Sequence, residues 1–394
     1  MPVDIAGQAF KQDPHAFLRA MRCEAPAVPI RVGRRPAWLV TRYDDVARLL
    51  KDDRFIKDWS KLPSGVPWIP PFARPLARNM LDLDEPDHMR LRTLVSQAFT
   101  PRIVESMRPR VEALVEELLQ KAASRVRIDL ICDYALPIPT TIIAEILGVE
   151  PEAQNRFHRW TKIIVVADTS ALAMARALPA VLAIIRYLRR LIERKRRYGG
   201  DDLTAALVAA HDGNDRLSED ELLAMLFLLL VAGHETTVNL IANGVLRLVE
   251  HSAERDRLVG DPTFANGAVE EILRFDGPLL NATQRFTLEP IEFAGVKIEA
   301  GAAVYAGIAS ANRDERAFDE PDRLDITRTL NRHLSFGDGA HFCAGAALAR
   351  MEGRIAIPAI LARFPKLRIS MDRPLVWKRG AVLRGLESLP INLV

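Results

Sequence analysis

Residues 336–345 read FGDGAHFCAG and place Cys343 after a glycine-rich loop and directly before a predicted helix, 346–362. A thiol at a helix N-terminus is stabilised as the thiolate by the helix dipole and by unpaired backbone N–H groups, so its pKa falls below ~8.5. The three glycines of this stretch allow positive φ and a close approach of the backbone to a large flat group, and its two phenylalanines supply apolar walls. The stretch therefore indicates a thiolate that faces a bound group.

Cys343 has three interpretations. A buried structural cysteine is the common case, but it does not explain the glycines around it. A cysteine hydrolase would need His341 as its base, yet this histidine is only two residues away and no family signature surrounds the pair. A lone thiolate that binds haem iron as its axial ligand and favours O–O cleavage fits the glycine-rich loop best.

The composition is that of a globular protein. Of the 394 residues, 49% are hydrophobic and 27% are charged, which excludes disordered and low-complexity classes. A net charge of +3 is too small for a dedicated nucleic-acid binder. The length alone would suit two or three domains of about 150 residues, but no repeat or flexible linker interrupts the chain. We therefore predict a single domain, 1–394.

Cysteine usage and apolar runs indicate a cytoplasmic protein. Three cysteines are an odd number in a long chain, which is typical of a reducing compartment without a disulfide framework. The first ten residues lack the pattern of a signal peptide. The longest apolar run, 222–233, has 12 residues, whereas a bilayer span needs ~20, so we expect a buried helix and no membrane span.

The hydrophobic pattern predicts a mainly α fold with small β-sheets. Ile30–Val32 and Ala37–Thr41 are expected to form a hairpin, and most of 87–361 has helical spacing. A small sheet is expected from three short alternating runs, Ile291–Phe293, Val296–Ile298 and Ala303–Ile308.

Local signals predict helix boundaries as well. Ser218 and Glu221 form a capping box at the start of the long apolar helix, and Gly199-Gly200 separates two earlier helices. The basic run 186–197, with seven cations, is expected to be a solvated helix face.

The glycine-rich stretch resembles the haem-binding signature of the cytochrome P450 superfamily, FGxGxHxCxG, which continues here as ALAR at 347–350. Further segments match the family in the same order: AGHETT at 232–237, EEILR at 270–274, ANRD at 311–314 and DITR at 325–328. The resemblance covers nearly the whole chain and is to the soluble bacterial type. It implies the cytochrome P450 fold, a triangular helical prism around haem b (iron protoporphyrin IX) with a cysteine thiolate as axial ligand.

The resemblance implies roles for individual residues. Cys343 would bind the iron, and Glu235 and Thr236 would form the acid–alcohol pair that delivers protons before O–O cleavage. A helix opened at Gly233 would leave room for dioxygen. The residues expected to contact the haem are His88, Arg92, Ala232, Gly233, Arg285, Phe336, Gly337, His341 and Gly345, of which the four cations would hold the propionates.

Glu271 and Arg274 lie three residues apart, on one helical face. In the family this pair is buried with a second arginine, which the resemblance places at Arg328, and the triad fixes the segment that carries the cysteine loop. A zinc-protease motif, by contrast, is excluded, because HExxH would require histidine where Val238 stands.

Substrate contacts are expected from an apolar pocket, with Asn281 as one polar contact. No residue selects among terpenoid, steroid, macrolide-like and fatty-acid substrates. The candidate apolar residues are Trp68, Ile69 and Phe72 of a proline-rich loop, Leu229, Leu279, Ala282, Val382 and Leu383.

The implied activity is that of a monooxygenase that inserts one oxygen atom from O₂ into an apolar small molecule. The chain has no GxGxxG fingerprint and no ferredoxin-like cysteine cluster, so electrons from NAD(P)H should arrive through a separate ferredoxin or flavodoxin with its reductase. Arg102, Arg332 and Arg350 are candidate contacts for this partner. Two alternatives stay open: a peroxygenase driven by H₂O₂, although such enzymes typically lack the acid–alcohol pair, and a haem-binding protein without turnover.

Overall fold

The computed structural model describes residues 2–62, 76, 78–96, 99–166, 171–212 and 217–394. Trp68, Ile69 and Phe72, which were predicted as substrate contacts, lie outside the described residues.

The helices are α1 (Gln8–Gln12), α2 (Pro14–Glu24), α3 (Tyr43–Leu49), α4 (Asp87–Ser96), α5 (Pro101–Ser106), α6 (Arg108–Ala123), α7 (Pro137–Ile146), α8 (Pro151–Val166), α9 (Ala171–Tyr198), α10 (Leu203–Asp212), α11 (Glu219–Glu250), α12 (Ser252–Gly260), α13 (Ala265–Asp276), α14 (Ile308–Ala311) and α15 (Ala346–Arg363). The strands are β1 (Ala27–Val32), β2 (Arg35–Val40), β3 (Phe55–Ile56), β4 (Arg127–Asp129), β5 (Arg285–Thr287), β6 (Ile291–Phe293), β7 (Val296–Ile298), β8 (Ala303–Ala306), β9 (Arg368–Ile369) and β10 (Pro390–Asn392). The mainly α class with small sheets is confirmed.

The chain divides into two compact units. The first comprises Met1–Gly65, Pro109–Ala135 and Thr236–Val394, and the second comprises Val66–Arg108 and Leu136–Glu235. Each unit is assembled from separate stretches of sequence, and the boundary inside α11 falls directly after Glu235. The single domain over 1–394 stays a prediction.

The sheets belong to the first unit. The predicted hairpin is confirmed as β1 and β2, which pair antiparallel with Ala27 opposite Val40 and are longer than the sequence pattern indicated. A five-stranded sheet has the order β1-β2-β8-β5-β3, and β4, β10 and β9 form a second sheet. Apolar side chains of the first sheet pack on those of β6 and β7, where the Phe55 and Phe293 rings meet edge to face at 5.0 Å between centroids.

One predicted strand boundary is wrong. The run Ala303–Ile308 was expected to be extended throughout, but β8 ends at Ala306. Gly307 still donates its N–H to the Val40 carbonyl, at 2.9 Å, and its own carbonyl accepts from the Ala311 N–H, also at 2.9 Å. The chain therefore turns into α14 directly after the sheet.

In the second unit the helix boundaries follow their local signals. The capping box is confirmed: Ser218 N–H donates to Glu221 Oε2 at 2.8 Å, and Glu221 N–H donates to Ser218 Oγ at 3.1 Å. Gly199-Gly200 separates α9 from α10. The predicted solvated basic face lies at the end of α9, where Arg186, Arg189 and Arg190 are exposed.

Helix α11 contains the longest apolar run and extends well beyond it, to Glu250. Among the residues that the structure describes, it is the one helix long and apolar enough to cross a bilayer, with a mean hydropathy of 1.6 over an 18-residue window. However, 61% of this window is buried in the protein, as in the core helix of a globular fold.

Helix α15, which follows the cysteine loop, packs closely against two other helices of the first unit. A Cβ added at Gly244 of α11 would lie 2.8 Å from the Ile357 side chain of α15 and 3.1 Å from Ile272 of α13. One added at Gly353 of α15 would lie 3.3 Å from Leu240 and Val269. Small residues at these crossings allow the three helices to form a rigid support for the loop.

Glu352 of α15 gives stability a pH dependence. Burial raises the pKa of this carboxyl from the ordinary value of 4.5 to about 8. Between pH 4.5 and about 8 the unfolded chain has lost the Glu352 proton, whereas the folded chain keeps it. The free energy of unfolding is therefore highest below pH 4.5 as far as this group is concerned, and it falls as the pH rises to about 8. We expect Glu352→Gln to be more stable than the parent by a margin that grows by up to about 1.4 kcal/mol per pH unit in this window.

Urea unfolding of the haem-loaded parent and of Glu352→Gln, measured near pH 5 and near pH 8, checks this expectation. The exposed pair of Glu117 with Lys121 on α6 provides the control variant, Glu117→Gln, whose margin should not change with pH in this window. A pH-independent margin for Glu352→Gln would contradict the assignment.

Candidate active site

The cysteine loop joins a short 3₁₀ turn, Gly339–His341, to helix α15. The Cys343 N–H donates to the Phe336 carbonyl at 2.9 Å, which closes the loop on itself. Cys343 is exposed, and Phe342 beside it is 41% exposed. The loop thus presents one thiol and one aromatic ring at the N-terminal end of α15, where the helix dipole favours a thiolate.

Glycine is required where the loop approaches the end of α3. Gly339 has φ +70°, and a Cβ there would lie 2.9 Å from the Leu50 carbonyl oxygen. The same carbonyl is 3.5 Å from Nη2 of Arg285, a buried residue of β5. Lys51 and Asp338 form an ion pair at 2.7 Å beside them. Gly339 of the cysteine loop and the predicted propionate ligand Arg285 therefore both lie beside the Leu50 carbonyl in the first unit.

The positive φ expected of the loop glycines holds for Gly337 and Gly339 but not for Gly345. Gly345 has φ −87° and caps α15, and a Cβ there would meet no described atom within 4 Å. Neither its backbone conformation nor the described atoms around it therefore require a glycine at this position.

The predicted ionic triad forms in the first unit. Arg274 donates to both carboxylate oxygens of Glu271, at 2.7 and 2.8 Å, and both side chains are fully buried. Arg328 lies 3.3 Å from the same carboxylate. The remaining acceptor positions of Glu271 are taken by the Asp325 N–H at 2.9 Å and by Asn331 Nδ2 at 3.1 Å. The carboxylate thus fixes the segment that leads to the cysteine loop.

The ANRD segment has a role that the sequence did not reveal. Asn312 is buried, donates from Nδ2 to Ser335 Oγ at 2.8 Å and accepts the Leu334 N–H at 2.7 Å. Its backbone carbonyl accepts from Arg274 at 3.0 Å. Asn312 therefore links the triad to the residues immediately before Phe336.

The middle of α11 carries the predicted proton-delivery residues. Ala232 and Gly233 are exposed, and Glu235 and Thr236 are half-buried, although most of their neighbours along the helix are buried. The expected opening at Gly233 is not observed, because α11 runs without a break from Glu219 to Glu250. Accessible surface at this point comes from small side chains rather than from an interruption of the helix.

Two predicted propionate ligands lie on α4 of the second unit. His88 is buried, with Nδ1 3.1 Å from Glu85 Oε1, and Arg92 one turn later is half-buried. Their spacing places them on one face of the helix. Leu229, a predicted substrate contact in the same unit, is buried in α11.

The predicted substrate residues of the first unit come together. The Leu280 N–H donates to the Val382 carbonyl at 2.8 Å, and Leu279 forms an isolated bridge with Leu383. Leu279, Val382 and Leu383 are half-buried, as is Ala282. Asn281, expected as the polar contact, is instead fully buried, and its Nδ2 donates to the Ala381 carbonyl at 2.5 Å.

These residues fit haem as the bound group. No cluster of three or more His, Cys, Asp or Glu side chains suited to a metal ion occurs in the part of the chain that the structure describes. The cysteine loop instead offers a single exposed thiol, an exposed phenylalanine and open space at Gly345. One thiolate beside an apolar, side-chain-free surface suits a flat macrocycle whose iron takes one protein ligand. The site thus has the features of a haem-thiolate protein.

Comparisons with known proteins agree with this class. The family model for cytochrome P450 matches residues 4–376. Cytochrome P450 107B1 of Saccharopolyspora erythraea is 45% identical over 393 residues, which cover 98% of this chain and 96% of that protein. The vitamin D(3) 25-hydroxylase of Pseudonocardia autotrophica is 42% identical and covers 99% of this chain and 96% of its own length. The crystal structure of the myxobacterial cytochrome P450 CYP267B1 in complex with myristic acid has a TM-score of 0.91 and 41% identity, and the match covers 99% of this chain and 98% of that one.

The chain therefore belongs to the cytochrome P450 family. Its cofactor is haem b, and it is an oxidoreductase of the monooxygenase class, of the bacterial type. Bacterial P450s of this type take electrons from ferredoxin partners and bind organic substrates.

Proposed function

We propose that Cys343 is the axial thiolate ligand of the haem iron. The observation that carries this proposal is the exposed thiol at the N-terminal end of α15, in a loop closed by the hydrogen bond from the Cys343 N–H to Phe336. A helix N-terminus favours the thiolate form of a cysteine, which is the form that binds iron. Haem b, when bound, supplies the reductive cleavage of O₂ that places one oxygen atom in the substrate.

Further residues are proposed to hold the haem. The propionates would pair with cations, since Arg and protonated His make short charge-assisted hydrogen bonds to carboxylates. Arg285 has the strongest support, because the Leu50 carbonyl that its Nη2 contacts at 3.5 Å lies directly beside Gly339 of the cysteine loop. The other cations are His88, Arg92 and His341, and the apolar contacts are Ala232, Gly233, Phe336, Gly337 and Gly345.

Glu235 and Thr236 are proposed to deliver protons to dioxygen. Both are half-buried in the middle of α11, beside the exposed Ala232 and Gly233, so their polar groups can be reached from this accessible stretch of the helix. The Glu235 carboxyl would take up protons from solvent, and Thr236 Oγ1 would pass them on.

We expect Thr236→Ala to lower product formation about a hundredfold, the range typical of a lost general acid, while NADPH oxidation continues. The electrons then appear as hydrogen peroxide. The measurement compares product, NADPH and peroxide in the system reconstituted with ferredoxin and reductase, using the compound that gives the largest low-to-high spin shift.

Thr236→Ser, which keeps a hydroxyl, is the matched control and should retain most of the product yield. Unchanged coupling of NADPH to product in Thr236→Ala would contradict proton delivery through Thr236. A parallel assay with hydrogen peroxide in place of NADPH distinguishes a peroxygenase, because a peroxygenase would need neither the redox proteins nor Thr236.

The substrate is proposed to be an apolar organic molecule. The half-buried side chains of Leu279, Ala282, Val382 and Leu383 line one region of the first unit, and Leu229 and the apolar segment at 68–72 are the other proposed contacts. Of the relatives named above, one is a vitamin D(3) 25-hydroxylase and one was crystallised with myristic acid, so sterol-like compounds and fatty acids are the first to screen. Because Asn281 Nδ2 is already bonded, any polar contact from this residue would use Oδ1.

The electron donor is proposed to be a ferredoxin or flavodoxin with its NAD(P)H reductase. Arg102 and Arg332 are exposed and available to an acidic partner. Arg350 is less suited than expected, because its guanidinium is bonded to Glu270. None of the three cysteines, all of them described, forms a disulfide, which supports a cytoplasmic location.

A further inference from the structure

Glu270, the residue before the triad glutamate, accepts hydrogen bonds from side chains of two other segments. Its carboxylate accepts from Arg350 Nε at 2.8 Å and Nη2 at 2.9 Å, and it lies 3.1 Å from His333 Nε2. Although burial raises the pKa of Glu270, the hydrogen bonds from His333 and Arg350 hold it at about 2, so the carboxylate is ionised under all ordinary conditions. Arg354 Nη2 lies 3.5 Å away and adds a second guanidinium.

The hydrogen bonds of His333 define how it binds. Its Nδ1 accepts the Ser335 N–H at 3.2 Å, so the ring proton is on Nε2 and points to Glu270. The side chain of His333 is 3% exposed. The ring is therefore held rigidly between the loop backbone and the carboxylate.

Arg350 and His333 both contact the ring of Phe336. The Arg350 guanidinium carbon lies 4.3 Å from the centroid of Phe336, a cation–π distance. The His333 ring centroid lies 5.9 Å from that of Phe336. The backbone carbonyl of Phe336 accepts the Cys343 N–H at 2.9 Å.

We propose that Glu270 is a positioning residue for Cys343, acting through Arg350, His333 and Phe336. The inference rests on the proposed role of Cys343 as the iron ligand. The two adjacent glutamates then have separate roles. Glu271 holds the segment 325–331, and Glu270 holds the side chains that pack on the Phe336 ring at the start of the cysteine loop. Loss of the Glu270 carboxylate frees Arg350 and His333, loosens Phe336 and lets the thiolate leave the iron more readily.

The test uses the full-length holoprotein with four variants: Glu270→Gln, Phe336→Leu, the double variant, and Glu117→Gln as the control for loss of an exposed carboxylate. The readout is the rate at which the reduced carbonmonoxy form loses its thiolate absorption band, with urea unfolding measured in parallel. We expect Glu270→Gln to lose the band about three- to tenfold faster than the parent, as fits the loss of a clamped cation–π contact. Glu117→Gln should match the parent.

The double variant separates positioning through Phe336 from general destabilisation. If Glu270 acts through the ring, the double variant loses the band no faster than the faster single variant. Multiplied effects, or a Glu270→Gln rate equal to that of the parent, would overturn the inference. Should Glu270→Gln not fold, Arg350→Lys, which keeps the charge but loses the two-pronged bond, must show the faster loss, and an unchanged rate in that variant overturns the inference.

The failure of this inference is distinguishable from failure of the proposed function. If the parent protein has no thiolate band, the role of Cys343 is wrong. If the parent has the band and Cys343→Ser lacks it, but the Glu270 and Arg350 variants behave as the parent does, only the positioning role is wrong.

Discussion

Cys343→Ser is expected to keep its fold and lose both the thiolate spectrum and oxygen insertion. A serine hydroxyl is a far weaker ligand for haem iron than a thiolate and donates less electron density to it. The side chain is exposed, so its replacement creates no cavity and leaves the helices behind the loop in place. We expect product formation to fall at least about 10³-fold, which corresponds to about 4 kcal/mol in the activation free energy.

The matched control is Cys23→Ser, which changes another exposed cysteine, on α2. This variant should retain the thiolate absorption band of the reduced carbonmonoxy form and the parental product yield. Circular dichroism and haem content measured alongside show whether the Cys343 variant is folded. Retention of the thiolate band by a folded Cys343→Ser protein would exclude Cys343 as the ligand.

Arg274→Gln is expected to cost about 3–5 kcal/mol of stability, the typical effect of leaving one partner of a buried ion pair uncompensated. Arg274 and Glu271 are both fully buried, and Arg274 also donates to the backbone carbonyls of Asn312, Pro321 and Arg323. Its loss frees the segment before the cysteine loop. The variant should therefore fail to fold or fail to retain haem.

The measurement is the urea unfolding midpoint together with the haem content per chain. Arg323→Gln is the matched control, because it removes an exposed arginine that pairs with Glu320 at 3.0 Å. An exposed ion pair contributes only about 0–1 kcal/mol, so this variant should behave like the parent. Parental stability and haem content in Arg274→Gln would contradict the structural role of the triad.

The cysteine loop was predictable because its signal, glycines next to Cys343 at the start of a helix, is local. The spacing of Glu271 and Arg274 predicted only that they share a helical face, and their burial in a triad was implied by the resemblance. Arg328 was placed through the resemblance alone, and the structure puts it against Glu271.

Contacts between residues far apart in sequence were not predictable. Glu270 binds His333 and Arg350, which are 63 and 80 residues further along the chain. No local sequence pattern predicts that these three side chains come together. The two adjacent acids at 270 and 271 were the available signal. For the same reason Arg350 was assigned to a partner surface, although the structure ties it to Glu270.

Backbone geometry accounts for the other differences. Asn281 is predicted as a polar substrate contact, and its Nδ2 is bonded to the Ala381 carbonyl because the segments at 279–282 and 381–384 pair through their backbones, so the prediction now concerns Oδ1. The interruption of α11 expected at Gly233 is absent. The adjacent polar residues Glu235 and Thr236 predict a functional role at this point of α11, but they do not determine whether the helix is interrupted there.

The most direct test of Cys343 as iron ligand is the reduced carbonmonoxy spectrum of the full-length holoprotein. The account predicts the strongly red-shifted absorption band that is characteristic of a thiolate opposite carbon monoxide. A band at the position typical of haem proteins with a histidine ligand, in freshly purified folded protein, would contradict it.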